Sequence, residues 1–287
     1  MKNSESDAAL AEYEKRPWLK WYAEGVPEDI EIPEKSIPEM TDEAVKKWGN
    51  ETGIVFYGRK MKHKEIHELS LRFAAALHDL GVRKGDRVAL LLPNCPQFMI
   101  AYFGILRIGA VASAMSPLYS PREIKYQLND SGSKTIVCLD LLFENVEKVW
   151  GETGLQHAIV TSVEEYLPSS GRFFGKMRGK TLSVEVSQKQ GILMFQDLIK
   201  KYPPKPPNVE IDPKEDLAAL PYTGGTTGVP KGAMLTHYNI IAIQEEMRRF
   251  FPDVEDGKEC TVALLPFYHI YGQSVIMITG AIRGGVG

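Results

Sequence analysis

The sequence predicts an α/β fold whose core is a parallel β-sheet. Between residues 64 and 161, amphipathic helical patterns alternate with short apolar runs, as in repeated β–α–β units. The run over residues 87–92 is apolar after Arg87, which is typical of a strand buried on both faces of a parallel sheet. Gly85 and Pro93 bound this run with turn residues. We therefore expect strands and helices to alternate along this part of the chain.

The individual elements follow from local patterns taken in chain order. Ile66, Leu69 and Phe73 recur at the spacing of one helix face, and Gly81 follows as a C-cap. Later helices show the same periodicity, and each strand is a short apolar run between turn residues. The helices are predicted over residues 64–80, 96–108, 122–128 and 141–149, and the strands over residues 87–92, 110–114, 134–139, 158–161 and 216–222.

Residues 8–25 form a further helical pattern, which Pro17 interrupts. We expect its apolar cluster to pack on the core and not to anchor the chain in a membrane, because no basic face is sustained there. The cluster consists of Trp18, Leu19, Trp21 and Tyr22.

Composition excludes several classes of protein. Among 287 residues, 34 Lys and Arg stand against 37 Asp and Glu, so the formal charge of −3 argues against a nucleic-acid partner. Three widely spaced cysteines without a C-x-x-C pair argue against a zinc ribbon or a disulfide framework and favour a cytoplasmic location. The apolar stretch 98–106 stops at Arg107, short of the roughly 20 residues that span a bilayer. We expect peripheral membrane contact at most.

Two segments interrupt the alternation. Residues 168–180 are basic and predict a solvated surface loop, with a phosphate or lipid-headgroup patch as the weaker alternative. Residues 200–213 are rich in proline and predict an extended connector. We therefore expect a first α/β subdomain over residues 1–210, with its N-terminal helical segment, and the start of a second, incomplete one over residues 211–287.

The segment 223–232 carries the strongest chemical signal. It contains four glycines, three threonines and Lys231, a composition that suits a polyphosphate. Glycine lets backbone N–H groups approach anionic oxygens closely, and lysine adds a full positive charge. The pattern is not a Walker A loop, and Pro230 disfavours a helical conformation at Val229. We predict a hairpin-like turn between strands that is mobile without nucleotide; an ordinary Gly/Thr-rich turn is the alternative.

The order of residues 222–232, Y-T-G-G-T-T-G-V-P-K-G, closely resembles the phosphate loop of the adenylate-forming (AMP-binding) superfamily, which includes acyl-CoA synthetases, luciferases and peptide-synthetase adenylation domains. Gly224 stands where serine is common. Residues 81–94 resemble the first strand of that family, and residues 109–132 resemble a segment of its fatty acyl-CoA synthetases. Residues 265–272 match L-P-x-[FY]-H-x-x-G, a motif beside the acyl site. The resemblance runs from about residue 64 onward and is weakest over residues 163–207.

The resemblance implies stacked β–α–β subdomains and a two-step reaction, in which a fatty acid and ATP form acyl-AMP and coenzyme A then takes the acyl group. It also implies that Tyr268 and His269 bind and orient the acid, although a packed core histidine is the structural alternative for His269. Thr226 is the candidate Mg²⁺ ligand. The residues implied to bind ATP are Thr223, Gly224, Gly225, Thr226, Thr227, Gly228 and Lys231.

Other features of the family lie beyond this match: its adenine-binding loop, ribose-binding aspartate and mobile C-terminal domain with the catalytic lysine. We therefore expect an N-terminal portion that does not catalyse adenylation by itself. Aryl-CoA ligases, luciferase-like enzymes and peptide-synthetase adenylation domains remain alternatives. So does a non-catalytic nucleotide- or acyl-binding half-domain. A homodimer is a further expectation.

Two other groups of polar residues have weaker functional patterns. His63 and His67 stand four apart, as metal ligands on one helix face do, but no carboxylate or cysteine pairs with them in the sequence, so we expect solvated surface histidines. Asp130 and Asp140 end a helical and a strand pattern, and we expect them to cap or turn the chain.

Overall fold

The computed structural model describes residues 10–168, 190–224 and 228–287. Residues 10–14 are helical, and a 3₁₀ turn covers Leu19–Trp21. The strands are β1 (Thr52–Phe56), β2 (Arg59–Lys62), β3 (Arg87–Leu91), β4 (Val111–Ala114), β5 (Thr135–Leu139), β6 (His157–Thr161), β7 (Ile192–Met194), β8 (Leu217–Ala219), β9 (Tyr222–Thr223), β10 (Lys231–Gly232) and β11 (Leu235–Thr236). The helices are α1 (Ile37–Trp48), α2 (His63–Asp79), α3 (Pro96–Arg107), α4 (Pro121–Ser131), α5 (Asp140–Glu147), α6 (Phe195–Lys201), α7 (His237–Phe250) and, after a π-helical stretch Gly272–Ile278, α8 (Thr279–Arg283).

The predicted parallel sheet is confirmed. Its seven strands lie in the order β11-β8-β4-β3-β5-β6-β7, and only the β11–β8 pairing is antiparallel. β3 lies at the centre, where Ala89 pairs with Ser113 of β4 and with Ile136 of β5. The predicted strand over residues 216–222 divides into β8 and β9, since Leu220 and Pro221 lie between them outside any strand. Because the central strands run parallel, their carboxyl ends lie at the same edge of the sheet.

Helices cover both faces of this sheet. Because side chains alternate along a strand, Val88 and Leu90 of β3 join the core beneath α2 and α3, whereas Ala89 and Leu91 join the core beneath α4 and α5. All five residues of β5, Thr135–Leu139, are buried as well. Burial on both faces explains why the strand sequences are continuously apolar instead of alternating.

Close packing of α2 against α3 depends on Gly104. A Cβ atom at this position would lie 2.9 Å from both the Phe73 ring and the Ser70 carbonyl oxygen. We expect Gly104→Val to lower the free energy of unfolding by about 2 kcal/mol, since the Ser70 backbone cannot move aside as a flexible side chain could. Urea denaturation measures the change. Gly154→Val is the control, because nothing lies within 4 Å of the Cβ position there; equal losses in the two variants would contradict the prediction.

The N-terminal aromatic cluster does not pack on the core as expected. None of the residues in the Leu19–Trp21 turn is buried, and Trp21 is 80% exposed. Tyr22 instead contacts Phe250 edge to face, with 5.6 Å between the ring centroids. Aromatic content predicted burial here, but the partners available to these rings lie at the surface.

The expectation of solvated histidines at the start of α2 is also wrong. His63 is only 6% exposed, and burial lowers its pKa. His67 Nε2 lies 2.7 Å from Asp42 Oδ1, and Arg107 donates to both oxygens of the same carboxylate at 2.6 and 2.8 Å. This ion cluster ties α1, α2 and α3 together. Asp42 comes from α1, a helix that the Ser36–Glu39 capping box could have revealed.

Three further expectations concern the organisation of the chain. The boundary near residue 210 stays a prediction; it falls in the irregular segment between α6 and β8, and β8 joins the seven-stranded sheet. The basic segment 168–180 lies, after residue 168, outside the described residues. Across the part of the chain that the structure describes, we find no helix both long and apolar enough to cross a bilayer.

Candidate functional site

The Gly/Thr-rich segment forms the predicted hairpin. β9 and β10 pair antiparallel, with Thr223 opposite Lys231 and Tyr222 opposite Gly232. Thr223, Gly224, Gly228 and Lys231 are all exposed at the loop end of this hairpin. Gly232 leaves room for the Tyr222 ring, because a Cβ atom there would lie 3.1 Å from that ring. The hairpin thus presents its lysine and glycines to solvent, as anion binding requires.

Helix α4 contacts both strands of the hairpin. The Tyr222 hydroxyl donates to Asp130 Oδ2 at 2.6 Å, and the Tyr126 hydroxyl donates to the Pro230 carbonyl oxygen at 2.7 Å. Burial and the hydrogen bond to Asp130 raise the pKa of Tyr222. Asp130 was expected to cap or turn the chain; its carboxylate instead accepts this bond from Tyr222.

A cavity of about 450 Å³ lies between α4 and the hairpin. Tyrosine rings and the Gly228–Pro230 backbone form much of its wall, with Arg122 and Glu123 as the charged groups. It is lined by Tyr119, Arg122, Glu123, Tyr126, Gln127, Tyr222, Gly228, Val229 and Pro230. The Gln127 Oε1 atom is buried and has no hydrogen-bond partner among the described residues.

The second motif, residues 265–272, forms a turn that Asn94 holds at the carboxyl end of β3. The Asn94 amide donates to the carbonyl oxygens of Ala263 at 2.8 Å and Leu265 at 2.9 Å, and its Oδ1 accepts from the Phe267 N–H at 2.7 Å. Phe267 is buried against Phe98, with 5.7 Å between the ring centroids. One side chain therefore satisfies three backbone groups of the turn.

Fixing Phe267 in the core leaves the next two residues at the surface. Tyr268 is half-buried and His269 is exposed, so His269 is not a packed core histidine. The His269 carbonyl accepts from the Gln273 N–H at 3.0 Å, and residues 270–271 begin the helix that leads into the π-helical stretch. The two candidate substrate-binding side chains thus lie on a turn that the Asn94 hydrogen bonds and the buried Phe267 hold in place.

Tyr119 connects the two motifs. It lines the cavity beside Gly228 and Pro230, and it also lies near Tyr268. Burial, together with the neighbouring Glu123 and Tyr268, raises the pKa of the Tyr119 hydroxyl. Tyr119 therefore lines the cavity beside the hairpin and is also a neighbour of Tyr268.

Part of the predicted phosphate site lies outside the described residues. Gly225, Thr226 and Thr227 lie outside the described residues, as does the predicted mobility of the loop that they form. No group of three or more His, Cys, Asp or Glu side chains that could hold a metal ion occurs within the described ranges. The Mg²⁺ assignment to Thr226 stays a prediction.

Sequence reasoning missed the side chains that hold the two motifs. Asn94 and Tyr126 lie in stretches that we matched to a family, but their roles depend on contacts across the fold. For Asn94 a signal was available: a polar residue directly after a buried parallel strand lies at the edge where α/β folds place their sites.

Comparison with known proteins identifies the family. The family described as AMP-binding enzyme matches residues 41–286. A long-chain-fatty-acid–CoA ligase of Bacillus subtilis is 36% identical over 264 residues, covering 91% of this chain and 47% of that protein. A ligase of the same name from Escherichia coli is 39% identical over 279 residues, covering 94% of this chain and 49% of its own length. The chain thus spans about half the length of the curated relatives it matches.

Solved structures agree on the fold. The crystal structure of a long-chain-fatty-acid–CoA ligase from Archaeoglobus fulgidus has a TM-score of 0.72 at 25% identity, with 92% of this chain and 49% of that chain covered. An anthranilate–CoA ligase in complex with anthranoyl-AMP has a TM-score of 0.74 at 22% identity, with 89% and 45% covered, and supports the fold alone. Together with the hairpin and the Tyr268–His269 turn, these matches show that the chain belongs to the AMP-binding enzyme family.

Proposed function

We propose that this chain is the phosphate- and acid-binding part of an AMP-forming fatty acid–CoA ligase. In the first step the carboxylate attacks the α-phosphorus of ATP, and pyrophosphate leaves. In the second step the thiol of coenzyme A attacks the acyl carbon, and AMP leaves. The fatty acid specificity rests on the relatives' names, since both bacterial proteins above are long-chain-fatty-acid–CoA ligases.

The observation that carries the proposal is the pairing of Thr223 with Lys231 at the loop end of an anchored hairpin. It brings a hydroxyl and an ammonium group to the same end as the Gly224 and Gly228 backbones. Charge neutralisation and positioning supply most of the catalysis in phosphoryl chemistry, so such a cluster suits the ATP phosphates.

The other residues have roles that follow from the family resemblance. Gly225, Thr226 and Thr227 would complete the phosphate contacts, and Thr226 would also hold Mg²⁺, which would neutralise phosphate charge. Tyr268 and His269 orient the acid next to the α-phosphate; neither acts as a nucleophile. Cytoplasmic location, a homodimer and peripheral membrane contact stay expectations.

ATP–pyrophosphate exchange by the full-length protein tests the proposal. We expect exchange to depend on a fatty acid in a panel of acetate, octanoate, palmitate, benzoate and amino acids. Lys231→Ala is expected to lower exchange by at least about 10-fold, since a charge-assisted hydrogen bond contributes roughly 1.5 to 3 kcal/mol. Lys148→Ala is the control, because Lys148 is an exposed lysine just after α5 that pairs with Glu144 at 2.7 Å and does not line the cavity beside the hairpin.

Each outcome of the panel has a distinct meaning. Exchange that requires benzoate or an amino acid would keep the adenylation chemistry and reject the fatty acid. If a folded protein shows no exchange with any acid, the non-catalytic binding function becomes the better proposal. Equal exchange in Lys231→Ala and wild type would remove Lys231 from the site.

A further inference from the structure

The phosphate-loop hairpin is too short to be held by its own pairing. Among the residues of this hairpin that the structure describes, the pairs between β9 and β10 are Thr223 with Lys231 and Tyr222 with Gly232. An isolated two-stranded hairpin is marginally stable in water even when it is longer. One more backbone bond, from the Ala233 N–H to the Pro221 carbonyl at 2.9 Å, extends the base. The position of Lys231 must therefore depend on contacts from outside the hairpin.

Helix α4 supplies these contacts from one face. Tyr126 and Asp130 are four residues apart, so their side chains lie on the same side of the helix. Asp130 accepts the hydroxyl of Tyr222 on the incoming strand, and Tyr126 donates to the carbonyl of Pro230, directly before Lys231. The Tyr126 and Tyr222 rings also meet edge to face, with 6.5 Å between centroids. One face of α4 thus contacts both sides of the hairpin, at Tyr222 and at Pro230.

We propose that Tyr126 and the Tyr222–Asp130 pair are positioning residues for the phosphate loop: they fix both strands of the hairpin and thereby place Lys231 for the ATP phosphates. This inference rests on the proposed function for its ligand. Neither Tyr126 nor Asp130 needs to touch the nucleotide. They restrict the hairpin before ATP binds, so less conformational entropy is lost on binding.

Removing either of these two hydrogen bonds is expected to cost little folding stability, so the positioning role can be tested by mutation. Asp130 is exposed and Tyr126 and Pro230 are only half-buried, so water can replace each lost partner. A loss of binding without a loss of folding is therefore the expected signature of positioning.

Tyr126→Phe in the full-length protein tests the first contact, because it removes only the hydroxyl. We expect the KM for ATP in pyrophosphate exchange to rise at least about fivefold, which is the scale of one lost hydrogen bond. The KM for the acid and the melting temperature should stay at their wild-type values. A variant that merely unfolds would lose kcat and leave both KM values unchanged.

Asp130 provides a second, independent test with a conservative rescue. Asp130→Ala removes the acceptor for Tyr222 and should also raise the KM for ATP, whereas Asp130→Asn keeps an acceptor oxygen and should restore it. Tyr202→Phe is the matched control, because the Tyr202 hydroxyl donates to the Asp79 carboxylate at the end of α2, a helix that packs on the opposite face of the sheet from α4. Wild-type KM values for ATP in Tyr126→Phe and Asp130→Ala would overturn the proposal.

Binding of inorganic tripolyphosphate, measured by calorimetry, separates this inference from the proposed function. If wild type shows no exchange but binds tripolyphosphate more tightly than Tyr126→Phe does, adenylation is rejected and the positioning role stands. If wild type and Tyr126→Phe bind equally, or neither binds, the positioning role is rejected.

Discussion

Replacing Gly272 with alanine is expected to lower the free energy of unfolding by about 3 kcal/mol and to displace the turn that carries Tyr268 and His269. A Cβ atom at Gly272 would lie 2.1 Å from the Pro266 carbonyl oxygen and 2.9 Å from that of Leu265. Both contacts are with backbone, so no rotation of a side chain can relieve them.

The turn also cannot move away from the added methyl group without further loss. The Asn94 amide holds the Leu265 carbonyl at 2.9 Å, and Phe267 is buried beside Phe98. Displacing the turn would break the Asn94 contacts and expose Phe267. The same change should therefore impair binding of the acid as well as folding.

Gly280→Ala is the matched control in the same helical segment. The nearest atom to a Cβ there is the Gly285 carbonyl oxygen at 3.8 Å, an ordinary contact. Alanine is favoured over glycine within a helix by about 1 kcal/mol, so this variant should be at least as stable as wild type. Urea denaturation compares the two variants, and equal stability of Gly272→Ala and Gly280→Ala would refute the clash.

Stability is expected to fall by roughly 3 kcal/mol between about pH 6.5 and pH 4 because of His237 alone. His237 is fully buried, and its Nδ1 accepts a hydrogen bond from the Ile37 N–H at 3.2 Å. Burial lowers its pKa to about 4, with Asp216 and Glu39 opposing the shift. Protonation would place a second hydrogen against the Ile37 N–H and a charge in the core.

The direction follows from the two protonation states. In the unfolded chain an ordinary histidine binds its proton below about pH 6.5, whereas the folded state excludes it until about pH 4. The unfolded state therefore holds more protons in this range, and stability decreases as the pH falls. Below pH 4 both states are protonated and the contribution levels off.

His237→Asn isolates this effect. The asparagine oxygen can accept from the Ile37 N–H but does not titrate, and other acidic groups contribute equally to both proteins. Free energies of unfolding at pH 7, 5.5 and 4.5 should converge as the pH falls, with wild type losing more. If the free energies of unfolding of the two proteins fall equally with pH, His237 does not cause the loss of stability in acid.

Local sequence patterns predicted the elements whose conformation depends on neighbouring residues in the chain. The continuously apolar strands β3, β4 and β5 were predicted within one or two residues, because burial on both faces leaves a sequence signal that needs no partner. The hairpin was predicted from Pro230, which disfavours a helix before Lys231, and from the glycines around it. Helices α1 and α7 were missed although each begins with a capping box.

The sequence by itself predicted five of the seven strands of the sheet, the hairpin and the family, since each depends on residues close together in the chain. Strands β7 and β11 were not predicted. Only the tertiary structure decided what holds the candidate site. Tyr126 is 104 residues from Pro230, Asp130 is 92 from Tyr222, and Asn94 is 173 from Phe267. Such pairs meet because of the order of the strands in the sheet. The same strand order buries His63 and His237. The polar character of His63 predicted a surface position. His237 had no local signal that predicted its burial.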